Sequence, residues 1–325
     1  MNTRLQILTL AQRHGLDAAA LARLQQLAGV HEAPSQFGPW LGRLAALLGA
    51  ALGGLGLVMW VAANWAELGR LPRFALLQGL IVALCLGAIA RPAARPPLTL
   101  LAFVALGALL AYFGQTYQTG ADAWQLFALW ALLGLPLVLG LRSDLLWTPW
   151  ALVAMLAIAL WTYTHAAPRW GHHVGDVSVH LLGFGAMLAL GAALALPLRR
   201  HAGAGLWSLR LVALLSMLSV VSIALGALFQ TPVGPQYGLG VLVLATAAAG
   251  PLLRRALADV FVLSTVAGGL NILLVVGLGR WVLSGASGTL ERLLGLGVMA
   301  LLSLGLMAAS VRLILQHGRP QAQHP

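Results

Sequence analysis

Apolar residues run through this chain in stretches of 17 to 27 residues, separated by short clusters rich in Arg, Pro, Gly, Asn and Asp. None alternates with period two as a half-buried strand would. A bilayer's hydrocarbon core is about 30 Å thick and takes about 20 helical residues to cross. The pattern therefore predicts ten transmembrane helices, over 43–65, 73–90, 97–116, 123–141, 145–163, 177–198, 207–229, 237–253, 257–279 and 289–315. The fold class expected is all-α, a polytopic helical membrane bundle. Breakers mark the turns: Arg91-Pro92, Pro96-Pro97, Pro168 and Pro232-Val233-Gly234-Pro235.

Residues 1–42 read differently. Leu5, Leu8 and Ala11 or Gln12 form one helical stripe, and Gly15 breaks it. Asp17 can cap a second helix that shows Leu21, Leu24 and Ala28, with Leu16 beside them. Pro34 and Pro39 end that helix. The outline is that of a helix-turn-helix, but only Arg23, Gln25 and Gln26 are offered to read bases, and binding nucleic acid needs many phosphate contacts. No nucleic-acid partner is expected. The pair reads as a cytoplasmic amphipathic cap. The organisation expected is this pair (1–42), a four-helix membrane half (43–141), a six-helix half (142–316) and a disordered cytoplasmic tail (317–325).

Composition removes the alternatives. Hydrophobic residues make up 60 % of the 325 and charged residues 8 %, with a mean hydropathy of +0.89. Soluble domains carry roughly 25 % charged residues, and disordered chains are rich in charge and poor in apolar residues. Both classes are excluded. All 19 basic residues are Arg, against 8 acidic ones. With ten spans and the N-terminus in the cytoplasm, fourteen arginines fall on the cytoplasmic side and five outside. That bias orients the chain with both termini cytoplasmic. Met1 to Gln26 has no apolar core of a signal peptide, so the first membrane helix should drive insertion. Cys85 is the single cysteine, inside an apolar run, and reads as a small buried hydrophobe.

Partners follow from the same reading. The lipid bilayer is the first. Ala45, Gly49 and Gly53 place small residues four apart on the first membrane helix, a ridge that lets helices approach closely. It serves packing within the bundle, self-association, or contact with another membrane protein.

Two polar groups at the outer face stand out. Asn64, Trp65 and Glu67 close the first span, with Arg70 three residues beyond Glu67. Gln115, Tyr117, Gln118, Asp122 and Trp124 join the third span to the fourth, with Asp122 placed to cap the fourth. So much hydrogen-bonding capacity is costly against lipid, so the two groups are expected to meet in a polar pocket. Residues about 5–140 resemble the bacterial membrane proteins grouped as domain of unknown function 2157. The resemblance rests on the N-terminal helical pair, the Gly-rich first span running into Ala62-Ala63-Asn64-Trp65, and Gly114-Gln115-Thr116-Tyr117-Gln118 followed by Asp122 and the run from Leu126 to Pro136. It implies a multi-helix protein of the bacterial inner membrane, and it supplies neither an activity nor catalytic residues.

A third group is His165, Arg169, His172, His173, Asp176 and His180, in the outer loop between the fifth and sixth spans. His172, His173, Asp176 and His180 have metal-ligand chemistry, but Gly171 and Gly175 favour a solvated loop, and no metal or other cofactor is expected. Asp259 and Arg255 flank the cytoplasmic start of the ninth span and read as a pair, and within the membrane Asn271 and Gln78 read as side chains bonding across helices. Three functions remain: a small-solute permease using the outer polar pocket, a non-catalytic scaffold or assembly partner, and, behind both, a membrane-embedded enzyme using the His loop with Glu67 and Asp122. No catalytic residue is nominated.

Overall fold

The computed structural model describes residues 3–28, 37–63, 67–117, 120–166, 177–253, 259–285 and 288–318. Its described residues are helical apart from short turns, with no strand among them. The chain divides into two compact units, Met1–Trp65 and Ala66–Pro325.

The first unit holds α1 (Thr3–His14), α2 (Ala18–Leu27) and α3 (Phe37–Ala63). Gly15 adopts φ +60° and ends α1, and the Leu16 amide bonds back to the Ala11 carbonyl. A glycine is favoured there because a left-handed residue with a Cβ is strained. The Asp17 carboxylate accepts from the Ala20 amide at 2.8 Å, capping α2 as its sequence position predicts. Among the α1 side chains described, Ile7 and Ala11, one turn apart, are buried, so the inner stripe takes in Ile7, which the predicted stripe omits. Pro39 does not end the second helix: it sits in the first turn of α3, where its missing N–H is not needed.

The second unit is a bundle of α4 (Arg70–Ala90), α5 (Arg95–Tyr117), α6 (Ala123–Leu141), α7 (Asp144–Ala166), α8 (Val177–Ala195), the short α9 (Pro197–Ala202), α10 (Leu206–Leu228), α11 (Pro235–Leu253), α12 (Val260–Gly285) and α13 (Thr289–Gly318). A single 3-10 turn, Pro92–Ala94, joins α4 to α5. Eight of the described helices are long and apolar enough to cross a membrane; the expected ten adds α3 and α11, of 27 and 19 residues. The sixth predicted span does not reach residue 198. It stops at Ala195, because Pro197 cannot donate to the helix ladder and opens α9 instead.

Trp147, Phe103, Phe184 and Leu146 are fully buried in one continuous core that draws on α5 to α12. Tryptophans fasten it. The indole N–H of Trp130 donates to the Phe103 carbonyl at 2.9 Å, that of Trp150 to Ala131 at 2.7 Å, and that of Trp147 to Ala202 at 2.8 Å. Gly107 gives the Trp130 ring the room it needs against α5, since a Cβ there would overlap the ring. Across α12 and α13, Asn271 Nδ2 donates to Ser310 Oγ at 3.1 Å, and Ser310 Oγ lies 3.2 Å from Asn271 Oδ1. The polar side chain deep in the ninth predicted span thus bonds across helices, as expected of it.

Candidate functional site

The two ends of the second unit differ in composition. Among its described residues, one end carries Arg91, Arg95, Arg142, Arg199, Arg200, Arg210 and Arg312, and the other carries Arg70, Arg73, Arg280 and Arg292. The first is called the arginine end below. The second, where the aromatic rings gather, is called the aromatic end.

At the aromatic end, Phe74 near the start of α4 meets the last two turns of α5. Its ring lies 4.7 Å from Tyr112, 6.4 Å from Phe113 and 5.9 Å from Tyr117, and Phe113 lies 4.8 Å from Tyr117. Such a collar of rings is what a membrane interface favours. Glu67, Gln115, Tyr117 and Asp122 are all exposed. Asp122 does hold the N-cap position of α6, with its backbone carbonyl accepting from the Gln125 amide at 3.0 Å, but its side chain makes no capping bond. Trp124 lies edge-on to His165 with centroids 6.0 Å apart, and its buried indole Nε1 has no acceptor among the described residues. His165 stacks on Trp161 at 4.9 Å, and its Nδ1 is 2.9 Å from the Trp161 carbonyl, which places the proton on that nitrogen. Asn64, Trp65 and Gln118 lie outside the described residues, as do His172, His173 and Asp176 of the histidine loop. His180 is described: it is buried on α8, with its ring 6.2 Å from Phe184. No group of three or more His, Cys, Asp or Glu residues able to hold a metal occurs among the described residues.

A further polar site lies at the arginine end, and the sequence reading passed over it. The Asp144 carboxylate, in the first turn of α7, accepts from the backbone N–H groups of Gly205 (2.9 Å), Trp207 (2.8 Å) and Ser208 (3.3 Å). It thereby caps α10 from another helix and places a negative charge against that helix's positive end. Two glycines permit the approach. A Cβ on Gly205 would overlap the Asp144 carboxylate, and one on Gly203, at φ +72°, would overlap the Arg142 backbone. Arg142 itself is held at φ +51°, a left-handed conformation that costs a residue with a Cβ about 1–2 kcal/mol. The readable signal was Gly203-Ala204-Gly205, a paired-glycine turn of the kind that marks close backbone approach.

Beside this clasp, Asp259 has a partner that the sequence reading did not name. Arg255 lies outside the described residues, and the Asp259 carboxylate is taken by Arg210 of α10, whose Nη2 is 2.8 Å and Nε 3.3 Å away. Arg210 also stands 5.4 Å from the centre of the Trp207 ring. Asp259 Oδ1 caps α12 through the Val262 amide at 3.0 Å. Burial pushes the Asp259 carboxyl up, but the Arg210 bond and the Val262 and Phe261 amides outweigh it, leaving the group below the ordinary carboxylate range.

Residues 9–147 match the family model described as predicted membrane protein (DUF2157). The match takes in the second half of α1, α2 to α6 and the first turn of α7, which is less than half of the chain. No curated protein and no solved structure matches. The family region therefore ends in the turn that carries Asp144, and the helix that Asp144 caps lies beyond it. This is a membrane protein, and the family description names no activity.

Proposed function

We propose that this chain is a multi-pass scaffold of the bacterial inner membrane, with the arginine end and both termini in the cytoplasm. In this reading the helices of the six-helix half (142–316) are fastened to one another into a support for assembly with other membrane components. The supporting observation is how the polar groups are spent. Asp144 caps α10, Arg210 pairs with Asp259, Asn271 pairs with Ser310, and Tyr237 donates to the Leu273 carbonyl at 3.0 Å. Each bond joins two helices, and none of these groups is turned toward a common opening. Polar side chains used in this way fix packing, whereas a catalytic or conducting centre needs groups that converge on a ligand.

A second reading, a small-solute permease, is favoured by the exposed donors and acceptors of Glu67, Gln115, Tyr117 and Asp122 at the aromatic end. Asn64, Trp65, Gln118 and Trp124 would complete that outer polar pocket. Proteoliposome shrinkage in glycerol or urea, followed by light scattering, separates the two. The scaffold reading expects the re-swelling rate of protein-free vesicles. A faster rate that Gln115→Leu abolishes would replace the scaffold with the permease. Orientation has its own check. Reporter fusions at His201 and Pro325 should read cytoplasmic and fusions at Gly171 and Pro235 external, and an external C-terminus overturns the ten-span topology.

A further inference from the structure

A cavity of about 310 Å³ lies between α8, α10, α11 and α12. Its wall on α8 runs from Phe184 to Ala195, and its wall on α10 from Leu209 to Val220. At 1.5 Å per residue each wall is about 16 Å deep, close to the hydrocarbon depth of one leaflet. The cavity begins at the arginine end, where Ala195, Leu209 and Val262 line it, and runs toward the middle of the bundle. Small residues keep it open. Ala192 on α8 and Thr246 on α11 are both exposed, so the gap between these two helices faces sideways. A Cβ on Gly250 would meet nothing within 4 Å.

The lining suits a hydrocarbon chain and not a polar solute. Its two hydroxyls are already engaged: Thr246 donates to the Val243 carbonyl of its own helix at 2.9 Å, and Ser216 points to the Met155 sulfur at 4.0 Å. Such a wall gives water few free partners to bond. The mouth suits an anion. Arg199 and Arg200 on α9 follow directly from the α8 wall and are exposed, while Arg210, beside the lining residue Leu209, is already neutralised by Asp259. Among the described residues that is the only ion pair.

We infer that this cavity binds one acyl chain of an anionic glycerophospholipid from the leaflet at the arginine end, with the phosphate headgroup held by Arg199 and Arg200. The inference uses the membrane setting and not the scaffold reading, so a solute-permeation result would leave it standing or falling on its own test.

The test is lipid retention. Full-length protein is reconstituted in nanodiscs of equimolar dioleoyl phosphatidylglycerol and dioleoyl phosphatidylcholine, released, and weighed by native mass spectrometry. Wild type should keep about one phospholipid per chain, with phosphatidylglycerol preferred by roughly ten-fold or more, given about five-fold per arginine near an anionic headgroup. Gly250→Leu should fill the space and lose the retained lipid of both kinds. Ala192→Leu, on the facing wall, should do the same, and both variants should unfold at or above the wild-type temperature. The double variant Arg199→Gln with Arg200→Gln should keep a lipid but lose the preference. Retention of no lipid by wild type overturns the inference. So does retention that neither filling variant reduces, or a preference that survives the double variant. A dimer that Gly250→Leu dissociates, with no lipid bound, would assign the cavity to a second copy and overturn it equally.

Discussion

Asp144 and Asp122 occupy similar places in the sequence, each at the start of an apolar helix after a polar turn. At the arginine end, Asp144 receives three backbone N–H groups from a turn sixty residues away. At the aromatic end, Asp122 marks the N-cap of α6, and its side chain caps nothing. The local signal is the same. What differs is the neighbour. Gly203 and Gly205 bring the α9–α10 turn against Asp144, and no such turn meets Asp122 among the described residues. An acidic residue before a helix thus becomes a tertiary fastener only where a second backbone can come within hydrogen-bond reach.

The largest expected effect tests that contrast directly. Asp144→Ala leaves three amides without their acceptor and removes a charge from the positive end of α10, so it should cost about 2–3 kcal/mol. Asp122→Ala should cost less than about 0.5 kcal/mol, as for a surface change away from any network. Unfolding in mixed micelles with rising dodecyl sulfate, followed by circular dichroism, measures both. Equal losses would remove the distinction between the two ends.

The tryptophans repeat the comparison at smaller scale. Trp147→Phe keeps most of the buried ring but removes the bond to the Ala202 carbonyl, so a loss of about 1 kcal/mol is expected. Trp124→Phe removes an indole N–H that has no acceptor among the described residues, and it should be neutral or slightly stabilising in the same assay. A clear loss at Trp124 would show that the aromatic end closes around it after all.

The acid limb of stability sharpens the picture of the arginine end. The Asp259 carboxyl is held below its ordinary range, so the folded protein binds that proton less tightly than the unfolded chain. Its contribution is complete above the ordinary carboxylate range and is lost as pH falls through that range and then through the lowered folded value. The melting temperature in detergent should therefore drop on acidification below about pH 4, and Arg210→Gln should flatten part of that drop. An unchanged acid limb in the variant would mean that the ion pair does not couple to folding.

Much of the fold was legible because membrane helices are written in composition and length. The fourth predicted span, 123–141, is α6 to the residue, bounded by Asp122 before it and Arg142 after it. Where a boundary moved, a local cause is visible. Pro197 cut the sixth span short, and the ninth, expected over 257–279, begins at the Asp259 cap and continues to Gly285 because no breaker intervenes before it. The polar site was not legible in the same way. Asp144 reads as a residue of its own helix, and Arg210 reads as a topology signal, since both find partners at sequence separations that periodicity does not reach. The polar residues that did stand out, Glu67, Gln115, Tyr117 and Asp122, drew notice because they are costly in lipid. The structure leaves all four exposed, and exposed polar groups at a membrane interface meet water or headgroups at little cost.

Gln115 carries the smallest expected effect and decides the most about the aromatic end. It sits in the last turn of α5 with its side chain exposed, between Phe113 and Tyr117 in sequence. An amide that already faces water or headgroups loses nothing in the folded state when it becomes Leu, so Gln115→Leu should shift stability by less than about 0.5 kcal/mol. If Gln115 were instead bonded into a polar clamp with Asn64, the same change would remove an intramembrane hydrogen bond and cost about 0.6 to 1.7 kcal/mol. A loss in that range would make the outer polar residues structural, and Asn64→Leu should then produce a matching loss that does not add to the first. Unchanged stability with unchanged vesicle permeability leaves them as an interface collar, whereas unchanged stability with permeability lost would mark them as a binding site for solute.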